Sequence, residues 1–297
     1  MANFTSVSVP AGAGYDATTK TLTLPLSNRR VVALWGSGRM GMKLDVSAKD
    51  PGIVDVTEPG FTRDGSAFPS DTRQFWIDGL QVGSTTVRAH QMLGKNWDEI
   101  TVNVTSSTDI GIMSVAFAAS RAAVAIAIVK LGDLIGAMAA GSTLNADQVK
   151  VSNAVTKWLN VPAYVPGSPD VASTVGFIAR AMGLYSQNLA LKNSKRSALL
   201  MFRTPDGFHG NTWGNVDLGM ECGDTFFSHD GPNCRRDVVT HEFMHLLGVH
   251  HGTSSLSGPT TTRTLTPDQS LDSADNLAQL TADITAGSTD CCTRVGD

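Results

Sequence analysis

Two histidines and a glutamate stand at a spacing that suits metal-assisted hydrolysis. His241, Glu242 and His245 form the pattern H-E-x-x-H. On an α-helix, residues i and i+4 lie one turn apart on the same face, so both imidazoles can bind a single Zn²⁺ ion. Glu242 then stands beside the ion, where it can take a proton from a water molecule on the metal. The pattern predicts a zinc hydrolase site carried by a helix.

A third histidine extends this pattern to H-E-x-x-H-x-x-G-x-x-H through Gly248 and His251. Glycine readily adopts the left-handed conformation that ends a helix, so the chain can turn at Gly248 and bring His251 to the metal as a third ligand. The fourth position would be left to water or substrate. Four of the seven histidines of the chain lie in this stretch. The alternative is a core helix with incidental histidines, because the same helix has an apolar side.

Length and composition are those of an ordinary folded protein. The chain has 297 residues, of which 41% are hydrophobic and 17% charged, and this length allows two domains. A net charge of −4 without a basic stripe argues against a nucleic-acid partner. The first residues lack the charged and apolar regions of an ordinary signal peptide. The apolar run 110–129 is interrupted by Arg121, which favours a buried or amphipathic helix over a membrane span.

Cysteine usage bears on the compartment. Cys222, Cys234, Cys291 and Cys292 contain no C-x-x-C pair, so a cysteine zinc site is not expected. The adjacent Cys291 and Cys292 are poorly placed to bond to each other, and we favour a disulfide from each to another part of the chain. Such bonds would indicate a protein that is secreted or delivered outside the producing cell's cytoplasm, by a route without an ordinary signal peptide. The alternative is four reduced thiols in a cytoplasmic protein.

The first part of the chain has the pattern of a β-sandwich. Short alternating segments recur at roughly ten-residue spacing, are separated by Gly, Pro, Asp and Asn, and show no helical period. We predict an all-β, antiparallel, immunoglobulin-like domain over residues 1–107. The predicted strands are 21–26, 31–35, 43–48, 53–57, 74–77, 85–90 and 99–104.

The region around Gly83 and Thr85 is similar to bacterial immunoglobulin-like repeats, in which a Gly-x-Thr turn precedes a late strand. This resemblance implies a binding or spacer module and names no ligand. The partner we consider for it is a component of a secretion machine. His90 is interpreted as a residue on the surface of a strand.

Residues 108–297 are predicted to form a second, mainly helical α+β domain. A helix is expected over 111–140, and it should be buried on most sides because its residues are almost all apolar. Further helices are expected over 146–159, capped by Asn145 with Gln148, and from 170 or 173 to 191. Strands are expected over 197–203 and 216–218. The zinc helix is predicted over 235–247, and a last helix begins at Thr266 with Pro267 in its first turn and continues through Ile284.

Three segments of this second domain resemble the aspzincins, the group of deuterolysin and lysine-specific metallo-endopeptidases. Cys222 with Phe226 and Phe227 is similar to that group's Cys-x-x-x-Phe-Phe segment. The residues before His241 and the Asp275-Asn276 pair are similar to its zinc helix and to the Asn-Ala-Asp-Asn element of its final helix. The resemblance implies a zincin fold, one catalytic zinc ion and hydrolysis of peptide bonds.

The chain departs from this family at the third ligand. The family uses an Asp in a Gly-Thr-x-Asp-x-x-Tyr-Gly segment, whereas residues 252–258 contain neither Asp nor Tyr. We therefore expect His251 to replace that Asp, with His250 or an aspartate such as Asp272 or Asp275 as alternatives. Asp275 is more simply an acceptor that orients a ligand histidine through its other ring N–H.

The expected function is that of a zinc metalloendopeptidase, a protein- or peptide-cleaving hydrolase with Glu242 as general base. The donor that stabilises the oxyanion is not identified, and the candidates are His209, His229 or a backbone N–H. One alternative is a peptidoglycan amidase or endopeptidase, delivered as an effector or toxin. Another is a non-catalytic binding protein whose zinc is structural, with His250 and His251 both on the metal.

Overall fold

The chain contains both β-sheets and helices and is a mixed α and β protein. The computed structural model describes Val9 and residues 14–26, 29–35, 44–58, 72–91, 97–192, 201–203, 207–212, 214, 216, 218–228, 230–251 and 265–285. The chain divides into two compact units. The first comprises Met1–Gly111 with Met201–Pro205, and the second comprises Ile112–Leu200 with Asp206–Asp297.

The N-terminal part of the first unit is built from strands. Those in the described residues are β1 (Tyr15–Asp16), β2 (Thr21–Pro25), β3 (Arg29–Trp35), β4 (Leu44–Ala48), β5 (Val54–Thr57), β6 (Thr72–Gly79), β7 (Gly83–Gln91) and β8 (Trp97–Thr105). They form a five-stranded sheet in the order β1-β2-β8-β7-β4 and a three-stranded sheet in the order β3-β6-β5. The seven predicted strands are therefore confirmed, with ends that differ by a few residues.

Alternation of apolar and polar residues produces the core of these sheets. Along β8, Ile100, Val102 and Val104 are buried, while Thr101 between them is exposed. The two sheets contribute to one apolar cluster, since Val54 and Ile77 of the smaller sheet pack with residues of the larger one. The expectation of purely antiparallel pairing is wrong at one place, because β2 pairs with β8 in parallel. The remaining strands separate these two along the chain, which leaves room for the crossover that a parallel pair requires.

The second unit is mainly helical. Its helices are α1 (Asp109–Ala139, of which the first residues belong to the first unit), α2 (Ala146–Leu159), α3 (Val171–Ala190), α4 (Asp224–Ser228), α5 (Pro232–His245), α6 (Pro267–Leu271) and α7 (Ala274–Thr285). Three short strands precede α4. The first, β9 (Met201–Arg203), belongs to the first unit, and β10 (Gly210–Thr212) and β11 (Met220–Cys222) belong to the second.

Local sequence signals explain where several of these helices begin. The capping box predicted for α2 is confirmed, because Asn145 accepts from the backbone of Gln148 and the Gln148 side chain accepts from the backbone of Asn145. Thr266 and Gln269 form the same arrangement at α6, with Pro267 in the first turn. Each box satisfies backbone N–H groups that have no partner inside the helix.

Two sequence predictions in this region are corrected. The short strand expected over 216–218 is not found at the described residues Val216 and Leu218, which lie in turns; the strand pair is instead β10 with β11. The last helix is two helices, α6 and α7, separated at Asp272 and Ser273. The backbone at Ser273 bridges to the segment after α5, and the N–H of Ala274 donates to the carbonyl of His250 at 2.8 Å. A continuous helix would have used that N–H internally.

The expectation that α1 is buried on most sides is wrong. Leu131 and Leu134 belong to the core of the second unit, but Val115 and Val129 are 67% and 63% exposed. By length and composition α1 could cross a membrane, although a helix on the core of a globular unit meets the same criterion. Only 33% of its most apolar window is buried.

The core of the second unit supports α7, which in turn supports the site described next. Trp158 of α2 and Tyr185 of α3 are buried in the same apolar cluster as Leu277 and Leu280 of α7. The Tyr185 hydroxyl donates to the carbonyl of Leu277 at 2.7 Å, so the position of α7 is determined by polar as well as apolar contacts. Helix α7 also packs against α5.

Candidate metal centre

Helix α5 presents two of the predicted ligands. It begins with Pro232 in the first turn and ends at His245, and it is buried along nearly all of its length. His241 and His245 are one turn apart, and their Nε2 atoms lie 2.9 Å from each other. The imidazole rings meet edge to face with centroids 4.6 Å apart. Both ring nitrogens therefore point to one place beside the helix.

A turn after α5 delivers the third histidine. Gly248 adopts φ 80°, the left-handed conformation that glycine enters without steric cost. The chain then runs along Ser273, where His251 forms an isolated backbone bridge. The His251 ring centroid lies 4.5 Å from that of His245. One ring nitrogen from each of the three histidines falls within 4.8 Å of the others.

Asp275, at the start of α7, holds two of these rings at once. Its Oδ1 lies 3.1 Å from Nδ1 of His241, and its Oδ2 lies 3.0 Å from Nδ1 of His251. The third ring, His245, places Nδ1 2.7 Å from the carbonyl oxygen of Val249. These acceptors favour the tautomer with the proton on Nδ1, which leaves each Nε2 lone pair free to bind a metal.

The donor set fits zinc. Three neutral imidazoles are a common protein contribution to a four-coordinate zinc ion. Tetrahedral bonds of about 2.0–2.1 Å imply nitrogens about 3.4 Å apart. The 2.9 Å between Nε2 of His241 and Nε2 of His245 is within about half an ångström of that value. Small rotations of the two rings would accommodate the ion.

Burial and neighbouring charges determine protonation around the three rings. Burial, with a contribution from His241, lowers the pKa of His245 to about 4, so this imidazole is neutral at pH 7. Burial also opposes ionisation of Asp275, but hydrogen bonds from His241 and His251 hold the pKa of its carboxyl well below the usual range. Burial alone would lower the pKa of His241; Asp275 and Glu242 outweigh it and raise that pKa.

Glu242 lies next to the convergence point and is almost fully buried, with 4% exposure. Its Oε1 is 3.9 Å from Nε2 of His241. Burial raises the pKa of the Glu242 carboxyl, and the positive character of His241 and His251 offsets part of this rise. A carboxylate with a raised pKa is a stronger base than an exposed one, which suits proton transfer near neutral pH.

Strand β10 lies against the same glutamate. A Cβ atom on Gly210 would meet Cγ1 of Val238 at 2.7 Å and Cγ of Glu242 at 3.0 Å, so only glycine allows this approach. The side chain of Thr212, two residues further, helps to hold the Glu242 carboxyl in its charged form. Sequence reasoning missed Gly210, Thr212 and the carbonyl of Val249. For Gly210 and Thr212, the only sequence signal was the high glycine content of the segment 205–223.

The other residues named from sequence lie elsewhere. The His250 side chain is 77% exposed and contacts Asp272 rather than the three rings, and Asp272 is 51% exposed. His209 places Nδ1 2.9 Å from both carboxylate oxygens of the buried Asp230. His229 lies outside the described residues. The structure therefore brings together His241, His245 and His251, with Asp275 and Glu242 beside them.

Cys222 does not take part in a disulfide in this structure. It is a buried free thiol, and burial raises its pKa well above the usual value. The buried thiol is therefore protonated at neutral pH and a poor nucleophile. Cys291 and Cys292 lie outside the described residues. Because Cys222 is free and Cys234 is the one other cysteine of the chain, the expectation that each of them bonds to another part of the chain is wrong for at least one of the two.

Comparisons with known proteins add little to this picture. No protein-family model matches the chain, and a search of curated proteins finds no significant match. Domains 4 and 5 of the S-layer protein SbsC share 14% identity with it over 35% of this chain and 54% of that chain, with a TM-score of 0.25. A chimeric titin Z1Z2 structure shares 9% identity over 35% of this chain and 97% of that chain, with a TM-score of 0.21. The chain thus spans about half of the SbsC fragment, and these similarities carry no argument about function.

Proposed function

We propose that this protein is a zinc-dependent metalloendopeptidase, with an immunoglobulin-like domain over residues 1–107 and an aspzincin-like catalytic domain over residues 108–297. The observation that carries the proposal is the cluster of His241, His245 and His251, with the Glu242 carboxylate beside it. In the proposed site, His251 takes the place of the family's aspartate ligand. The fold of the catalytic domain and its relation to the aspzincins belong to this proposal.

The three histidines would hold one zinc ion through their Nε2 atoms. When bound, zinc supplies a Lewis acid that acidifies water and polarises a carbonyl group. Asp275 favours the orientation and tautomer of His241 and His251 that binding requires, since its two oxygens lie 3.1 and 3.0 Å from their Nδ1 atoms. The chain thus arranges the three ligands around one position.

Glu242 moves the protons in the proposed reaction. Its carboxylate takes a proton from the attacking water, and the resulting carboxylic acid gives that proton to the nitrogen of the leaving amine. Burial supports both steps, because a raised pKa brings the acid and the base forms closer in energy at neutral pH. A general base of this kind contributes about 10²–10⁴-fold to a rate.

The openness of the site supports catalysis over a structural role. Structural zinc sites are usually closed by four protein ligands, whereas catalytic sites keep one position for water or substrate. Among the described residues, three histidines form the cluster, and His250 points away from it. The His251 side chain is 39% exposed, so the cluster reaches solvent. A buried carboxylate beside the first ligand has no use in a purely structural site.

The position of β10 supports an extended polypeptide as the substrate. This strand is at the end of its sheet and pairs with β11 on one side, and no other described strand pairs with its outer edge. It also lies directly beside Glu242. An extended chain that adds to such an edge gains main-chain hydrogen bonds with little dependence on sequence.

Casein digestion by wild type and Glu242→Gln protein tests the proposal. We expect equal zinc content in the two proteins and loss of about 10²–10⁴-fold in the rate of casein cleavage by the variant. An active Glu242→Gln protein would contradict the role of the glutamate. If zinc-loaded wild type digests purified sacculi and leaves casein intact, the substrate is peptidoglycan and not protein.

A further inference from the structure

Strand β10 lies against the helix that carries Glu242. A Cβ atom on Gly210 would meet Cγ of Glu242 at 3.0 Å and Cγ1 of Val238 at 2.7 Å, so the side of β10 to which that Cβ would point faces α5. Successive side chains of a strand point to opposite sides, and residues two apart point to the same side. Thr212, at the other end of β10, therefore presents its side chain to α5 as well.

The hydroxyl group of Thr212 is buried beside the Glu242 carboxylate. Its Oγ1 atom makes no hydrogen bond to any residue that the structure describes. Burial raises the pKa of the Glu242 carboxyl, and the Thr212 side chain is among the groups that oppose this rise. A buried hydroxyl without a partner costs free energy, and a charged acceptor makes the stronger hydrogen bond. A small rotation of either side chain would bring the hydroxyl and the carboxylate into hydrogen-bond contact.

A general base on a long side chain needs a contact that fixes its carboxylate. The Glu242 side chain has several rotatable bonds, and proton transfer requires one of its oxygens within hydrogen-bond distance of the attacking water. Its Oε1 is 3.9 Å from Nε2 of His241, so the carboxylate lies beside the three histidines. Asp275 cannot hold it there, because an ionised carboxylate accepts hydrogen bonds and donates none. The Thr212 hydroxyl is a donor, and it faces the glutamate from a second element of the structure.

We propose that Thr212 is a positioning residue for the general base: its hydroxyl donates a hydrogen bond to the Glu242 carboxylate and directs that carboxylate to the attacking water. The proposal rests on the proposed function, because Glu242 is the base of that reaction. It assigns the support of the two catalytic components to different elements. Asp275 on α7 supports zinc binding, whereas Thr212 on β10 supports proton transfer and is not needed to bind zinc.

Two substitutions of Thr212 separate the hydroxyl from the rest of the side chain. Thr212→Val keeps the size and the branch at Cβ but removes the hydroxyl, whereas Thr212→Ser keeps the hydroxyl and removes the methyl group. Threonine and valine are both favoured in strands, and serine is less so. If Thr212 only stabilised β10, the serine variant would therefore be the more damaged of the two. A role of the hydroxyl predicts the reverse order.

The first measurement is cleavage of labelled casein by the zinc-loaded proteins. Thr212→Val should lower kcat by about tenfold or more, the effect of one lost hydrogen bond to a charged group. KM and zinc content should remain those of the wild type, because the hydroxyl acts on the base and binds neither substrate nor zinc. Thr212→Ser should keep kcat within about threefold of the wild type. A Thr212→Val protein with the wild-type kcat, or a Thr212→Ser protein that loses as much, would overturn the proposal.

The second measurement observes the Glu242 carboxylate itself and needs no cleavage. The chain has four glutamates, so ¹³C labelling of their side-chain carboxyl carbons gives four NMR signals, and the signal absent from Glu242→Gln protein belongs to Glu242. In zinc-loaded protein, Thr212→Val should shift this signal, and Thr212→Ser should leave it near its wild-type position. A signal that Thr212→Val does not shift would overturn the contact even if casein is cleaved. Failure of the proposed function looks different: the signal would shift as expected, while the wild type would leave casein intact.

Discussion

The two units of this protein bury different chemistry. The core of the first unit is a cluster of aliphatic and aromatic side chains such as Leu22, Val54 and Ile100. The second unit has an apolar cluster of its own, and its contact of α5 with α7 also buries His241, Glu242 and Asp275. Burial of apolar surface stabilises a fold, whereas burial of ionisable groups costs free energy unless they are paired. Stability explains the apolar cluster of each unit, whereas the ionisable cluster between α5 and α7 points to a function that maintains it.

Removal of a core side chain from the first unit should have the largest effect on stability. Ile100 is 2% exposed and packs in the cluster shared by both sheets. Ile100→Ala should lower the free energy of unfolding by about 2–5 kcal/mol, because it removes apolar burial and leaves a cavity. Urea denaturation measures this loss, and zinc content should stay that of the wild type. A loss below about 1 kcal/mol would mean that this region is not a packed core.

Removal of the Asp275 carboxylate, which contacts two ligand histidines, should lower zinc affinity, which the change in the first unit leaves intact. Asp275→Asn keeps the shape of the side chain but leaves one oxygen to accept, so it cannot hold both His241 and His251. We expect zinc affinity to fall about 10–100-fold, measured by competition with a chelator. Asp272→Asn is the control, since Asp272 contacts the exposed His250. Equal zinc affinities in the two variants would contradict a role of Asp275 in zinc binding.

The acid sensitivity of the metal-free protein should depend on His245. Its pKa is about 4 in the fold, against about 6.5 in an unfolded chain. Between these values the unfolded state binds more protons, so His245 makes the fold lose stability as pH falls from about 6.5 to 4. His241, whose pKa is raised, acts in the other direction. A comparison of thermal midpoints between wild type and His245→Gln isolates the contribution of His245.

We expect the His245→Gln midpoint to depend less on pH across this window than that of the wild type. Identical slopes would show that His245 is not buried as a neutral ring. The measurement sharpens the contrast between the units, because the apolar cluster described for the first unit contains no histidine.

A surface contact of the first unit should matter least. Arg88 stacks over the ring of Trp97 at 4.4 Å and donates two hydrogen bonds to Glu99. Its side chain is nevertheless 58% exposed, so water and salt screen the ion pair. Arg88→Ala should therefore change the free energy of unfolding by less than about 1 kcal/mol. A larger loss would show that the exposed face of this sheet contributes to the fold as strongly as its core.

The strands and the ligand spacing were predictable because both depend on local periodicity. Alternation along β8 indicates which side is buried, and i,i+4 spacing places His241 beside His245 wherever a helix forms. Gly248 marked the turn that leads to His251. These relations require no knowledge of what lies far away in the chain.

The contacts that complete the site were not predictable in the same way. Asp275 was expected to orient one histidine, and the structure shows it at two, because α7 is a separate helix that begins beside the bridge at Ser273. The approach of Gly210 to Glu242 also joins segments distant in sequence. For α1, apolar composition predicted burial, but composition does not indicate how many sides of a helix find a partner.

Zinc content per chain in wild type, His251→Ala and His250→Ala proteins tests the central claim most directly. The two histidines are neighbours in sequence, yet only His251 joins His241 and His245, while His250 is exposed on Asp272. We predict one zinc ion in wild type, one in His250→Ala and none in His251→Ala after dialysis. A His251→Ala protein that keeps its zinc, or a His250→Ala protein that loses it, would contradict this account of the metal centre.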